Sequence, residues 1–231
     1  QGTRTVLWMH SGGYVFGSAH GYRAFAAALS RASRARVLVI DYRLAPEHQY
    51  PAALEDATTA YRWLLAQGVT PGDVVIGGDS AGGGLALATV LALRDAGDPR
   101  PVAAVAVSPV ADQTFSGESM HTRASSDPIA SAEMLAGLCG LYRGSASETD
   151  PYVSPLFGDF AGAPPLLVLV GTEEVLHDDA TRLVDKARAD GASARLVVGE
   201  GQFHIWPLFA GILPEGQQAI DTIGQFINEV R

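Results

Sequence analysis

The chain has 231 residues, with 16 Lys plus Arg against 25 Asp plus Glu and a formal net charge of −9. That length suits one large domain with a substantial core, and the acidic balance leaves no basic patch to neutralise phosphate, so nucleic acid is excluded as an expected partner. The single cysteine, Cys139, rules out an internal disulfide and has no zinc-site companions, so a core thiol is its expected role; no apolar run approaches the length of a membrane span.

Apolar runs near positions 5, 37, 73, 102, 166 and 194 alternate with helix-length segments near 20, 52, 84, 178 and 216. The alternation predicts an α/β fold, a mostly parallel, doubly wound sheet covered by helices. The first run, Thr5 to Met9, ends in His10-Ser11-Gly12-Gly13-Tyr14, where a glycine pair lets backbone N–H groups turn toward a ligand. The second, Val37 to Ile40, precedes Asp41 to Glu47 and a predicted helix from Pro51 to Gln67; Pro46 and Pro51 fix a non-helical connection between them.

The third run, Asp73-Val74-Val75-Ile76-Gly77, leads into Gly78-Asp79-Ser80-Ala81-Gly82 and then a helical run from Leu85 to Ala96. A strand that turns sharply into a helix with serine at the apex is a nucleophile elbow. The flanking glycines allow the turn, and the helix aims its N-terminal N–H groups and positive dipole end at the same spot. In a chain with 26 glycines the pentad alone also fits an ordinary turn, so its partners decide. Asp79 is expected to support nearby groups by hydrogen bonding, not to react.

Residues 112–159 break the rhythm. They are rich in Ser, Gly, Ala and Pro and contain one helical patch, Ser131 to Tyr142. An unstructured surface loop of that length is uncommon. Its place between the elbow and the later strands is where an α/β-hydrolase carries an inserted cap or lid.

An acyl-transfer serine needs a base, an acid that orients the base, and donors for the oxyanion. In this fold the chain order is serine, acid, histidine. In the last third of the chain the candidates for the base are His177 and His204. His204 follows the apolar run Ala194 to Val198, at the C-terminal end of a late strand, where α/β sheets gather their sites. His177 opens a charged, helix-like segment and reads as a solvated surface residue. The acid belongs on the loop after the run Leu166 to Val170, where Glu173, Glu174, Asp178 and Asp179 compete. Glu174 is the first choice and Glu173 the alternative. Asp178 and Asp179 read as first-turn helix acids that favour the helix dipole.

Several of these segments together resemble the hormone-sensitive lipase family of carboxylesterases, the bacterial family IV esterases. His10-Ser11-Gly12-Gly13 resembles its His-Gly-Gly-Gly motif, Tyr42 to Glu47 its Tyr-Arg-Leu-Ala-Pro-Glu signature, and Gly78 to Gly83 its Gly-Asp-Ser-Ala-Gly-Gly elbow. Gly171 to Asp179 and Phe203-His204-Ile205-Trp206 are similar to its acid and histidine loops. The resemblance implies Ser80 as nucleophile, His204 as base and Glu174 as orienting acid. It implies the backbone N–H groups of Gly12, Gly13 and Ala81 as oxyanion donors. The chain departs from the family at Ser11, where glycine is usual, and at Glu174, where many members have aspartate followed by proline. The Tyr42 to Glu47 signature reads mainly as scaffold under the oxyanion loop.

The resulting expectation is one α/β-hydrolase domain over residues 1–231, with residues 112–159 as a cap or lid insertion. The chain opens almost directly on the first strand, and the resemblance implies a further N-terminal cap segment that is not in this sequence. The expected activity is that of a serine carboxylesterase on small, short-acyl esters. The alternatives are an amidase or deacetylase with the same triad, and a non-catalytic small-molecule binder on the same scaffold. No metal or organic cofactor is implied. The expected location is cytoplasmic, and the C-terminal strand and helix, Ala194 to Arg231, offer an edge for a homodimer.

Overall fold

A computed structural model describes residues 4–230. In chain order its regular elements are β1 (Thr5–Met9), α1 (Arg23–Ser33), β2 (Arg36–Ile40), α2 (Ala52–Ala66), β3 (Val74–Asp79), α3 (Ala81–Asp95) and β4 (Ala103–Val107). There follow α4 (Ser119–Thr122), α5 (Ala132–Arg143), β5 (Leu166–Gly171), α6 (His177–Ala189), β6 (Ala194–Gly199) and α7 (Pro214–Glu229). The six strands form one sheet in the order β2-β1-β3-β4-β5-β6, and every neighbouring pair is parallel.

The central strands read as continuous apolar runs because both of their faces are buried. Successive side chains alternate between the faces. Leu7, Met9, Ile76 and Val168 face a layer filled from α2, α3 and α6 by Leu64, Leu85 and Leu183. Val6, Trp8, Val75 and Leu169 face the opposite layer, filled from α1 and α7 by Phe25, Leu29, Ile220 and Ile223. The sheet is therefore wound with helices on both sides, and the loops that leave the C-terminal ends of the strands gather along one edge.

One boundary differs from the sequence expectation in an informative way. The helix after the elbow begins at Ala81, not at Leu85, and runs through three glycines that are poor helix formers. A Cβ on Gly82 would lie 2.1 Å from the Met9 carbonyl oxygen, so close approach of α3 to β1 overrides propensity there. Cys139 is fully buried on α5, as a core thiol should be.

Residues 112–159 leave β4 and return to β5 carrying α4 and α5 but no strand. Ser131 caps α5 by accepting the Met134 N–H at 3.2 Å. The helix lies over the loop edge of the sheet: Leu138 packs directly on Gly13, and Tyr142 stacks on Tyr14 with ring centroids 3.9 Å apart. β6 forms one sheet edge, with Val198 exposed. Among the described residues no helix is long and apolar enough to cross a membrane.

Candidate active site

Ser80 stands between β3 and α3 at φ 56° and ψ −121°. That backbone is strained for any residue but glycine and persists only where its surroundings over-determine it. Here the Ser80 N–H donates to the Val107 carbonyl at 2.8 Å. Its own carbonyl accepts from the N–H groups of Gly84 at 3.0 Å and Val110 at 3.1 Å. The side chain is thereby held at the mouth of the loop edge.

The three residues picked from the sequence meet there. His204 Nε2 lies 2.9 Å from Ser80 Oγ, and His204 Nδ1 lies 3.2 Å from Glu174 Oε2. Glu174 Oε1 accepts from the Ser108 hydroxyl at 2.8 Å and from the Gly171 N–H at 2.6 Å. Both carboxylate oxygens are thus occupied, although Glu174 is wholly buried. Ser108 was not singled out from the sequence. It is the first residue after β4, has a positive φ of 46°, and also accepts the Ile205 N–H at 3.1 Å. One hydroxyl so joins the carboxylate to the residue after His204. Its only sequence signal is its place at the end of an apolar run.

The other residues of the acid loop go elsewhere. Glu173 turns to the surface, accepts the Thr172 hydroxyl at 3.0 Å and lies 4.0 Å from Arg123. His177 is not a solvated surface residue: it is half-buried, and its Nδ1 lies 3.0 Å from the Gly171 carbonyl. Asp178 and Asp179 do begin α6, but they are more than a charged helix start. Asp178 accepts the Ser119 N–H at 2.9 Å. Asp179 is fully buried and accepts the N–H groups of Ala111 and Asp112, each at 2.9 Å. Burial pushes its carboxyl up to about 8, and its Oδ1 has no partner among the described residues. The sequence pattern of an exposed first turn and that of a buried one are the same string of letters.

Segment 119–127 braces this loop. The Ser119 hydroxyl donates to the Val175 carbonyl at 2.6 Å and the Ser126 hydroxyl to that of Glu173 at 3.2 Å. Arg123 donates to the Thr172 carbonyl, and Asp127 accepts the Val175 N–H at 3.1 Å.

Facing the serine, Gly12 and Gly13 have φ of 120° and 60°, values that disfavour any side chain. Ala81 is the first residue of α3, where helical N–H groups lack a helical acceptor. Beneath the loop, the Tyr42 hydroxyl donates to the His10 carbonyl at 2.8 Å, and the Ala45 N–H donates to the Tyr14 carbonyl at 2.9 Å. The Tyr42 to Glu47 segment is scaffold there, as its sequence position implied. Asp79 accepts the Trp8 indole N–H at 2.9 Å and the Tyr22 hydroxyl. Gly12, Gly13, Ser80 and His204 border a cavity of about 90 Å³, closed on its apolar side by Phe16, Ile129, Met134, Leu135 and Leu138.

Comparison with known proteins agrees with this fold. The family signature of the α/β hydrolase fold matches residues 6–208. A crystal structure of an esterase from the bacterial hormone-sensitive lipase family superposes with a TM-score of 0.97 at 47% identity, covering 98% of this chain and 76% of that one. The chain belongs to the hormone-sensitive lipase family of α/β-hydrolase carboxylesterases. This carboxylic ester hydrolase is 44% identical over 227 residues to an acetyl-hydrolase of Streptomyces hygroscopicus, spanning 98% of the chain and 76% of the relative. It is 36% identical to an esterase of Acinetobacter venetianus, spanning 97% and 74% of the two chains. A crystal of another esterase, soaked with p-nitrophenyl butyrate, superposes on it with a TM-score of 0.96 at 46% identity and covers 99% of the chain and 77% of its own.

Proposed function

We propose that this esterase hydrolyses small, short-acyl esters through Ser80, His204 and Glu174 and an acyl-enzyme intermediate. The observation that carries the reading is the unbroken series of hydrogen bonds from Ser80 Oγ through the His204 ring to the buried Glu174 carboxylate. Ser80 Oγ attacks the ester carbonyl while His204 Nε2 takes its proton. Glu174 accepts from Nδ1–H, which selects the tautomer with a free Nε2 and stabilises the imidazolium as it forms. The backbone N–H groups of Gly12, Gly13 and Ala81 receive the oxyanion of the tetrahedral intermediate. His204 returns the proton to the leaving alcohol. A water activated by His204 then releases the acid and restores Ser80.

The short-acyl preference is supported by the size of the cavity beside Ser80, about 90 Å³. Two relatives bear names that point the same way, the acetyl-hydrolase of Streptomyces hygroscopicus and an ethyl acetate hydrolase of Pseudomonas putida that is 31% identical. Residues 112–159 act as the lid of a single α/β-hydrolase domain, because they supply Ile129, Met134, Leu135 and Leu138 to the apolar wall.

A panel of p-nitrophenyl esters from acetate to decanoate, with an N-acetyl anilide beside them, tests substrate class and chain length. Turnover is expected to peak at acetate or butyrate and to vanish in Ser80→Ala, while a serine-directed organophosphonate labels Ser80 stoichiometrically. Unchanged hydrolysis in Ser80→Ala rejects the nucleophile. A peak at long chains rejects the short-acyl pocket, and preference for the anilide makes the enzyme an amidase.

A further inference from the structure

We propose that Tyr22 is a positioning residue that locks the oxyanion loop to the nucleophile elbow. The inference rests on the reading of Gly12, Gly13 and Ala81 as the oxyanion donors. Those donors come from two separate pieces of chain, the loop after β1 and the turn after β3. A hole assembled from two pieces works only while they keep their spacing; a misplacement of about 1 Å costs about 100-fold in rate.

The ladder between β1 and β3 ends at Met9 and Gly78, so it does not reach the donors. A Tyr22 hydrogen-bond pair spans the remaining gap. Its hydroxyl donates to Asp79 Oδ2, and its oxygen accepts the Ser11 N–H at 2.8 Å. One atom therefore joins the residue before the first glycine donor to the residue before the nucleophile. The Ser11 hydroxyl lies 2.7 Å from the same oxygen, a contact that a glycine at this position does not make.

The surroundings make this lock stiff. The Tyr22 ring is buried against Phe25, with centroids 5.8 Å apart, and Asp79 is fully buried with its other oxygen held by Trp8 at 2.9 Å. Burial pushes the Asp79 carboxyl up to about 6, against the Tyr22 and Trp8 donors that favour its charged form. Tyr22 itself is not part of the cavity wall, so it acts on the substrate only through the two segments it joins.

Tyr22→Phe removes one oxygen and keeps the ring. With p-nitrophenyl acetate, kcat is expected to fall about 10- to 100-fold, with KM within about twofold of the parent. Affinity for a trifluoromethyl ketone, whose hydrated or serine-bound form mimics the oxyanion, should fall by the same factor as kcat. Asp79→Asn should lose kcat in the same way, and the double variant should be no worse than the poorer single one, because both changes open one lock. If Tyr22→Phe does not fold, Asp79→Asn with the same two readouts decides. Parental kcat in the folded variant overturns the proposal, as does a loss of kcat without a matching loss of ketone affinity. Ser80→Ala in the same assays separates the layers. Abolished hydrolysis there beside an unaffected Tyr22→Phe rejects the lock alone, whereas retained hydrolysis in Ser80→Ala rejects the mechanism beneath it.

Discussion

Two adjacent glutamates on the loop after β5 have opposite surroundings. Glu174 engages Ser108 and Gly171 through one oxygen and His204 through the other, while Glu173 faces Thr172 and Arg123 at the surface. An amide at the proposed acid position no longer selects the His204 tautomer with a free Nε2. Glu174→Gln should therefore lower kcat by about 10³- to 10⁴-fold, and Glu173→Gln should leave it within about threefold of the parent. Steady-state turnover of p-nitrophenyl acetate by the two variants checks this, and the reverse pattern moves the role to Glu173. The sequence order already placed Ser80, an acid-loop glutamate and His204 at one edge of the sheet. It was silent on Ser108 and Tyr22. A serine after an apolar run and a tyrosine before a helix carry no pattern of their own; their contacts arise from strand order and from the packing of α1, which no local window contains.

At the scale of elements, the loop that carries Glu174 is held by a segment of the proposed lid. Asp127 gathers the N–H groups of Ile129 and Ala130 at 3.0 Å each on one oxygen and the Val175 N–H at 3.1 Å on the other. It thus ties a wall of the cavity beside Ser80, Ile129, to the peptide next to Glu174. Asp127→Ala should let the acid loop drift and reduce kcat by about tenfold. In a Glu174→Gln background the same change should cost little more, because the contact it protects is already gone. Kinetics of the two single variants and the double variant measure the coupling, and additive losses would make Asp127 a general support of the fold. Six strands and the helices α1, α2, α3, α6 and α7 were legible from the alternation of apolar runs and helix-length segments, and α5 as a helical patch within the segment that breaks it. The four-residue α4 was not, since a single turn has no periodicity to show. The start of α3 was misread because Gly82 answers to the end of β1, and Gly83 and Gly84 to Pro109 and Val110 after β4, and not to helix propensity.

For the whole molecule, Asp179 makes stability depend on pH. It lies where the chain leaving β4 meets the start of α6. Burial, with a smaller push from Asp112, raises its carboxyl from 3.8 to about 8, against the pull of two backbone N–H groups and Arg182. Between those two values the folded chain keeps a proton that the unfolded chain has released. The folded state then binds more protons, so this group's contribution declines as pH rises through the window. The slope for one such group is at most about 1.4 kcal/mol per pH unit. Below the window both states are protonated and above it both are ionised, so the contribution is flat at either end. Denaturant unfolding from pH 5 to 8 should show a shallower decline in Asp179→Asn than in the parent, with the largest relative gain for the variant near pH 8. Parallel curves would exclude Asp179 as the source.

Ser80, Ser108, Glu174 and His204 each stand just beyond the C-terminal end of a different strand, β3, β4, β5 and β6, which are neighbours in the sheet. Ser80 and His204 are 124 positions apart along the chain, yet their side chains are 2.9 Å apart. Contacts of such high sequence separation form only after the entropy of closing a long loop has been overcome. A partly assembled sheet that holds β1 to β4 already presents the elbow, but it has neither the proposed acid nor the proposed base. On the proposed roles, hydrolysis is a property of the finished sheet: during refolding, ester turnover should mark the arrival of β6, with chains still in transit silent toward substrate.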